Sequence, residues 1–377
     1  MQTHFFKPGV SGLFLFFEMA KEDGRLNNEV HRFRECYVSS KRHAPLHLAA
    51  MRSILRRMKR SVSIAATLVL TAFAGFAQEA PVSAPPEVSA FEFKDQDKLV
   101  LLGGTHLERE QRYAHLETAL TLALGDKGIS VRNLAWSADT VYGDARSYFG
   151  PPSEGLQRLE AQLELLKPTV VVLNYGTDLA HSGLKQLPDF LTAYRNLIDL
   201  IRKVSPGVRL ILTSPPPLEN LGPPLPDQAD ANKNLDSLRD ALSKFAKSQN
   251  AFFIDWFELM GGLPKPERTQ HPLTENGIHY TNAGYQKLAQ VTLSALGLKL
   301  PDVPNTAAEA LRKEILKKDF LFFNRYRPQN ETYLFGFRKH EQGQNAKEIP
   351  MFDPLLAEAD KKIHELKLKA LSDARQP

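Results

Sequence analysis

Short apolar runs alternate along the chain with longer stretches in which apolar residues return every three or four positions. Leu99–Leu102 is four apolar residues in a row, too few for a helix, and reads as a buried strand of a parallel sheet. Arg109–Leu124 then carries helical spacing. The alternation continues with a strand over Ser130–Trp136, a helix over Leu156–Leu166, a strand over Thr169–Asn174 and a helix over Leu184–Val204. A strand over Val208–Thr213, a helix over Ala229–Lys247, a strand over Ala251–Asp255 and a closing helix over Asn282–Leu296 complete it. Pro168 and Ser205-Pro206-Gly207 supply stops, and a Pro-rich loop spans Pro215–Pro226. Five strand–helix alternations at this spacing mean βαβ units with right-handed crossovers. The pattern predicts an α/β protein, a three-layer α/β/α domain over residues 97–300 with a five-stranded parallel sheet.

The periodicity changes after Pro301. Ala307–Phe323 is amphipathic, Tyr326–Pro354 has no clear period, and Leu355–Leu371 is helical again. Residues 301–377 therefore read as a helical and irregular C-terminal extension. Tyr333, Phe335 and Phe337 fall at strand spacing, so this stretch is expected to pack back onto the domain, with docking of a protein partner as a further expectation. Asn330-Glu331-Thr332 matches a glycosylation sequon, a weak signal when alone.

At the other end, Met58-Lys59-Arg60, an apolar run over Ser61–Phe76 and small residues up to Ala77 form the charged start, apolar centre and cleavage site of a secretory signal peptide. Residues 58–77 are read as that signal, 78–96 as a Pro- and Ala-containing linker, and 1–57 as an upstream extension from a mis-assigned start. Export to the periplasm or beyond is the expectation, with no membrane span left after cleavage. This reading changes the charge. The whole chain is +5, but residues 1–60 hold 12 Lys or Arg and 5 Asp or Glu, so the remainder is slightly acidic. No nucleic-acid footprint is left. The single cysteine, Cys36, lies in the same leading segment, which leaves the mature chain no disulfide, thiol nucleophile or cysteine metal ligand.

Four blocks follow strands or precede the last helix: Gly103-Gly104-Thr105, Asn133–Thr140, Tyr175-Gly176-Thr177-Asp178 and Glu275-Asn276-Gly277-Ile278-His279. Loops at the carboxyl ends of parallel strands converge on one rim, so these distant segments are expected to share one cleft. Thr105 offers a hydroxyl and His279 an imidazole. Ser137 reads more readily as a turn hydroxyl, Asp139 and Thr140 as caps, and Trp136 and Tyr175 as core. Asp178, His279, His106 and His181 are types that suit zinc or manganese, but their spacing does not demand a metal, and no cofactor is expected.

In order, spacing and residue type these blocks resemble the SGNH (GDSL-type) hydrolase superfamily over about residues 97–297. The nearest resemblance is to exported members of planctomycete and verrucomicrobial type, which also carry a block like Leu107–Tyr113 and a tail like Arg327–Gln344. The resemblance implies a flavodoxin-like fold and hydrolysis of acyl or acetyl esters, with a small-molecule or glycan ester as substrate. Thr105 stands where the family has its serine nucleophile. Ala138 stands at an oxyanion glycine and Asp178 at the oxyanion asparagine, with Gly104 beside the nucleophile. The resemblance makes His279 the expected base; Asn276 replaces the aspartate that orients it, and Glu275, one position earlier, is the other candidate to orient the ring. An ionised Asp178 cannot donate a hydrogen bond and repels developing negative charge, so catalysis is expected to be weakened. The alternative is a non-catalytic relative whose cleft binds a glycan or a protein.

Overall fold

The computed structural model describes residues 91–374 apart from 126, 149, 264–271 and 342–344. The expected leader (1–57), the signal peptide (58–77) and most of the linker (78–96) lie outside the described residues. Strands β1 (Lys98–Gly103), β2 (Ser130–Asn133), β3 (Val170–Asn174), β4 (Arg209–Thr213) and β5 (Phe252–Ile254) form one sheet. All neighbours pair in parallel in the order β2-β1-β3-β4-β5. The chain leaves β1 in one direction and returns to β3 in the other, which opens a crevice at the carboxyl ends of those two strands.

The helices are α1 (Thr105–Glu110), α2 (His115–Ala123), α3 (Pro152–Leu166), α4 (Leu179–Ser182), α5 (Leu187–Val204) and α6 (Ala229–Ser248). They continue as α7 (Trp256–Leu259), α8 (Asn282–Ala295), α9 (Asn305–Tyr326), α10 (Glu331–Leu334) and α11 (Phe352–Asp373). Side chains alternate across a strand, so one sheet feeds two cores. Val100, Leu102, Val171, Leu173 and Leu212 pack with Leu163 of α3, Ile198 of α5 and Leu238 of α6. Leu99, Leu101, Val170, Val172 and Ile211 pack with Leu120 of α2 and Leu288 of α8. This is the three-layer α/β/α architecture with a five-stranded parallel sheet, followed by a helical C-terminal region.

Three elements depart from the sequence pattern for local reasons. The helix expected over Arg109–Leu124 is broken. Ala114 adopts a left-handed conformation (φ 55°), and the Glu110 carboxyl accepts the Leu116 N–H at 2.7 Å, capping α2 with a side chain from α1. Strand β2 stops at Asn133, not Trp136, because that side chain donates to the Leu107 carbonyl at 2.7 Å and accepts the Ala135 N–H at 3.1 Å. The aromatic stretch is no strand. Glu331–Leu334 makes a helical turn after Asn330 (φ 58°), and Phe335 and Phe337 are 52% and 81% exposed.

The C-terminal helices cover the β2 edge. Lys318 of α9 is fully buried and its ammonium donates to the Val131 carbonyl of β2 at 3.0 Å and to both Glu117 oxygens at 2.7 and 2.6 Å. Asp319, also buried, lies 2.7 Å from the same ammonium. Leu311 and Ile315 of α9 share a small core with Leu122 of α2 and Ile363 of α11. Among the described residues, no helix is long and apolar enough to cross a membrane.

Candidate active site

At the end of β1 the backbone passes so close to β3 that a Cβ on Gly103 would sit 2.4 Å from the Asn174 carbonyl oxygen. The chain turns at Gly104, and α1 starts with Thr105 half-buried at its first position. Gly104 turns its own N–H to the Asn174 carbonyl at 3.4 Å, so it faces the sheet edge. The Ala138 N–H donates to Thr105 Oγ1 at 2.9 Å. Ala138 has φ 61°, a left-handed conformation that favours glycine, and holds its amide towards the hydroxyl despite carrying a Cβ. Two of the four blocks thus meet directly.

The second block is anchored from below. Asp139 and Arg146 form an ion pair at 2.7 Å with both side chains fully buried, and the Tyr175 hydroxyl donates to the same carboxylate at 3.3 Å. Burial raises the Asp139 carboxyl despite Arg146 beside it. Trp136 and Tyr175 are core residues, 5% and 3% exposed. Asp178 sits at the start of α4, exposed at the lip, with its carboxyl raised by partial desolvation and opposed by backbone hydrogen bonds.

The fourth block is a tight loop closed by the Thr274–Tyr280 bridge. Gly277 (φ 88°) packs so closely that a Cβ would lie 2.7 Å from the Glu219 carbonyl oxygen. Asn276 Oδ1 accepts the Ile278 and His279 N–H groups at 3.1 and 2.9 Å. With its oxygen so occupied, the amide presents Nδ2 to His279 Nδ1 at 3.3 Å. An amide N–H donates, so Nδ1 is the acceptor and the neutral ring carries its proton on Nε2. An aspartate at this position would hold the opposite tautomer. Among the described residues the Glu275 carboxylate is bonded to Arg109 and Tyr113 and not to the ring: Arg109 Nη2 lies 3.1 Å from both of its oxygens, and the Tyr113 hydroxyl lies 3.4 Å from one. His279 is held below its ordinary pKa by partial desolvation and then by Arg109, with Glu275 acting in the opposite sense.

Thr105, Ala138, Asp178, His279 and Gly104 line one cleft of about 340 Å³, together with His106, Arg109, His181 and Pro216. Among the described residues, no hydrogen bond joins Thr105 to His279 directly. His106 is stacked on Tyr285 (5.5 Å between centroids) and edge-on to Tyr280 and Trp256. Burial pushes its pKa to about 3, so the ring is neutral, and Nε2 has no hydrogen-bond partner among the described residues. No cluster of three His, Cys, Asp or Glu among the described residues is arranged to hold a metal ion. Sequence reasoning did not find Arg109 and Tyr113 as the partners of Glu275, nor Glu108, which accepts from Ser137 Oγ. The one signal was their place in the Leu107–Tyr113 block.

A hydroxyl that accepts from a backbone N–H and an imidazole thus line one cleft at the carboxyl edge of the parallel sheet. Residues 102–287 match the GDSL-like lipase/acylhydrolase family. No curated protein matches it. Among solved structures, it is similar in fold to a gut microbial diltiazem-metabolizing enzyme at 11% identity and TM-score 0.53, covering 74% of this chain and 97% of that one. A catalytic mutant of an acetylxylan esterase from Geobacillus stearothermophilus matches at 17% identity and TM-score 0.42, over 56% of this chain and 98% of that one. A GDSL-like lipase from Bacteroides thetaiotaomicron matches at 22% and TM-score 0.39, over 53% and 88%.

Proposed function

We propose that the protein is an exported SGNH-type ester hydrolase that cleaves acyl or acetyl esters, carbohydrate-linked ones in particular, with a weakened catalytic set. The observation that carries the reading is the 2.9 Å hydrogen bond from the Ala138 N–H to Thr105 Oγ1, in a cleft that His279 also lines. In this reaction Thr105 Oγ1 attacks the ester carbonyl carbon while His279 Nε2 takes the hydroxyl proton. The carbonyl oxygen becomes an oxyanion facing the Ala138 N–H. Collapse breaks the bond to the alcohol, which leaves with the proton from His279, and water then hydrolyses the acyl-threonine by the same steps.

Three features slow this chemistry. The threonine methyl crowds the attack. Asp178 opposes the oxyanion whenever it is ionised. Asn276 stabilises the tautomer with Nε2 already protonated, so His279 must exchange tautomers before it can act as base. In a serine protease, the comparable Asp-to-Asn change lowers kcat by about 10⁴-fold. Asn276→Asp is therefore expected to raise kcat by at least about tenfold. The reading is tested by turnover of short acyl and acetyl-sugar esters by the natural chain and by Thr105→Ala, Thr105→Ser and Asp178→Asn. Loss in the first and gain in the other two support it.

The same Asn276–His279 contact favours a second reading, a cleft that binds a glycan without chemistry. Absence of turnover in the natural chain, Asn276→Asp and Asp178→Asn, together with glycan binding by calorimetry, decides for it.

A further inference from the structure

The loop that presents the Ala138 N–H is held from outside the family-matched region. Tyr326, the last residue of α9, donates its hydroxyl to the Ala135 carbonyl at 2.8 Å. Gln162 of α3 donates to the Tyr326 carbonyl at 2.9 Å and fixes that end of the helix. Arg327, the next residue, lays its guanidinium over the Trp136 ring at 4.0 Å. The same guanidinium reaches Glu108 Oε1 at 3.3 Å. Glu108, only 5% exposed in its side chain, accepts from Ser137 Oγ with its other oxygen. Ala135, Trp136 and Ser137 are thus each gripped, and Ala138 is the next residue.

On its outer side Trp136 meets Tyr148 and Tyr326 edge-on and borders a cavity of about 560 Å³ that Phe322 and Leu356 also line, so part of its outer contact is made by C-terminal residues. Ala138 sits in a left-handed conformation that a free loop leaves readily. Its amide direction therefore depends on how firmly residues 135–137 are held.

We propose that the C-terminal segment is a working part of the site: Tyr326 and Arg327, with Glu108 as shared anchor, clamp residues 135–137 and so aim the Ala138 N–H at Thr105. These are positioning residues. The clamp is a statement about the loop; its effect on turnover rests on the ester-hydrolase reading.

Hydrogen–deuterium exchange on the full chain separates the two. Arg327→Ala and Glu108→Gln are expected to speed amide exchange in peptides covering 134–140 by tenfold or more, with peptides covering β4 unchanged. Arg327→Lys keeps the charge but loses the planar stack and fork, and should fall between. Ser137→Ala removes the Glu108 contact from the loop side and should give the Glu108→Gln pattern without touching the C-terminal segment. With an acetyl ester as substrate, the same variants should lower kcat tenfold or more at nearly constant KM, because the aimed N–H acts on the oxyanion. Exchange at 134–140 that stays at the natural rate in Arg327→Ala and Ser137→Ala overturns the clamp, as does exchange that rises equally in β4. A natural chain that hydrolyses no ester overturns the enzymatic reading alone, and the exchange result still decides the clamp.

Discussion

Ala138 and Asn276 each meet one demand of this cleft at the cost of another. Ala138 keeps a backbone N–H on Thr105 at the cost of a left-handed φ of 61°. Ala138→Gly removes that strain and adds chain entropy on unfolding, for a net gain of about 0.5–1 kcal/mol. A rise of a few degrees in Tm by calorimetry checks it. Asn276 keeps the loop turned through its Oδ1 but offers His279 a donor where a base needs an acceptor. His279 itself is shifted down from 6.5, first by desolvation and then by Arg109, so its neutral form persists to lower pH than in a free imidazole. The acidic limb of kcat/KM against pH is therefore expected below pH 6.5, and Arg109→Gln should move it up. A limb above 6.5 in the natural chain contradicts this placement.

At the scale of elements, the alternation of apolar runs and helical spacing was enough to read the sheet and its layers, because strands buried on both faces and amphipathic helices leave that pattern in any sequence. The four loops were legible as one rim for the same topological reason, and Thr105, Ala138, Asp178 and His279 do line one cleft. What could not be read depends on tertiary side-chain contacts. The break between α1 and α2 is made by Glu110 capping from inside the core, and the Arg327–Glu108 contact spans 219 positions. Glu110 also carries a prediction. Burial, with Asp319 nearby, raises its carboxyl from 4.5 to about 8 in the fold. A raised folded pKa means the stabilising neutral form is fully present below the unfolded value of 4.5 and is lost as pH climbs through about 8. Glu110→Gln should thus differ little from the natural chain at pH 4 and be more stable at pH 9 by a few kcal/mol, because each pH unit between the two values is worth about 1.4 kcal/mol. Chemical denaturation at the two pH values measures it.

For the whole molecule, the C-terminal helices do two jobs at two places along α9. Lys318 closes the β2 edge and neutralises part of a buried carboxylate cluster, in which burial raises Glu117 and Asp319. Just past the end of the same helix, Arg327 stacks on Trp136, two residues before Ala138 of the cleft. An edge strand covered in this way is shielded from pairing with other chains. The account as a whole stands on Thr105 being a nucleophile within this cleft. The direct measurement is intact-mass and peptide mapping after exposure to a fluorophosphonate, in which a threonine oxygen displaces fluoride from phosphorus. A single adduct on Thr105, absent in Thr105→Ala and formed faster in Asn276→Asp, is the predicted result. No adduct even in Asn276→Asp, or an adduct that persists in Thr105→Ala, contradicts it.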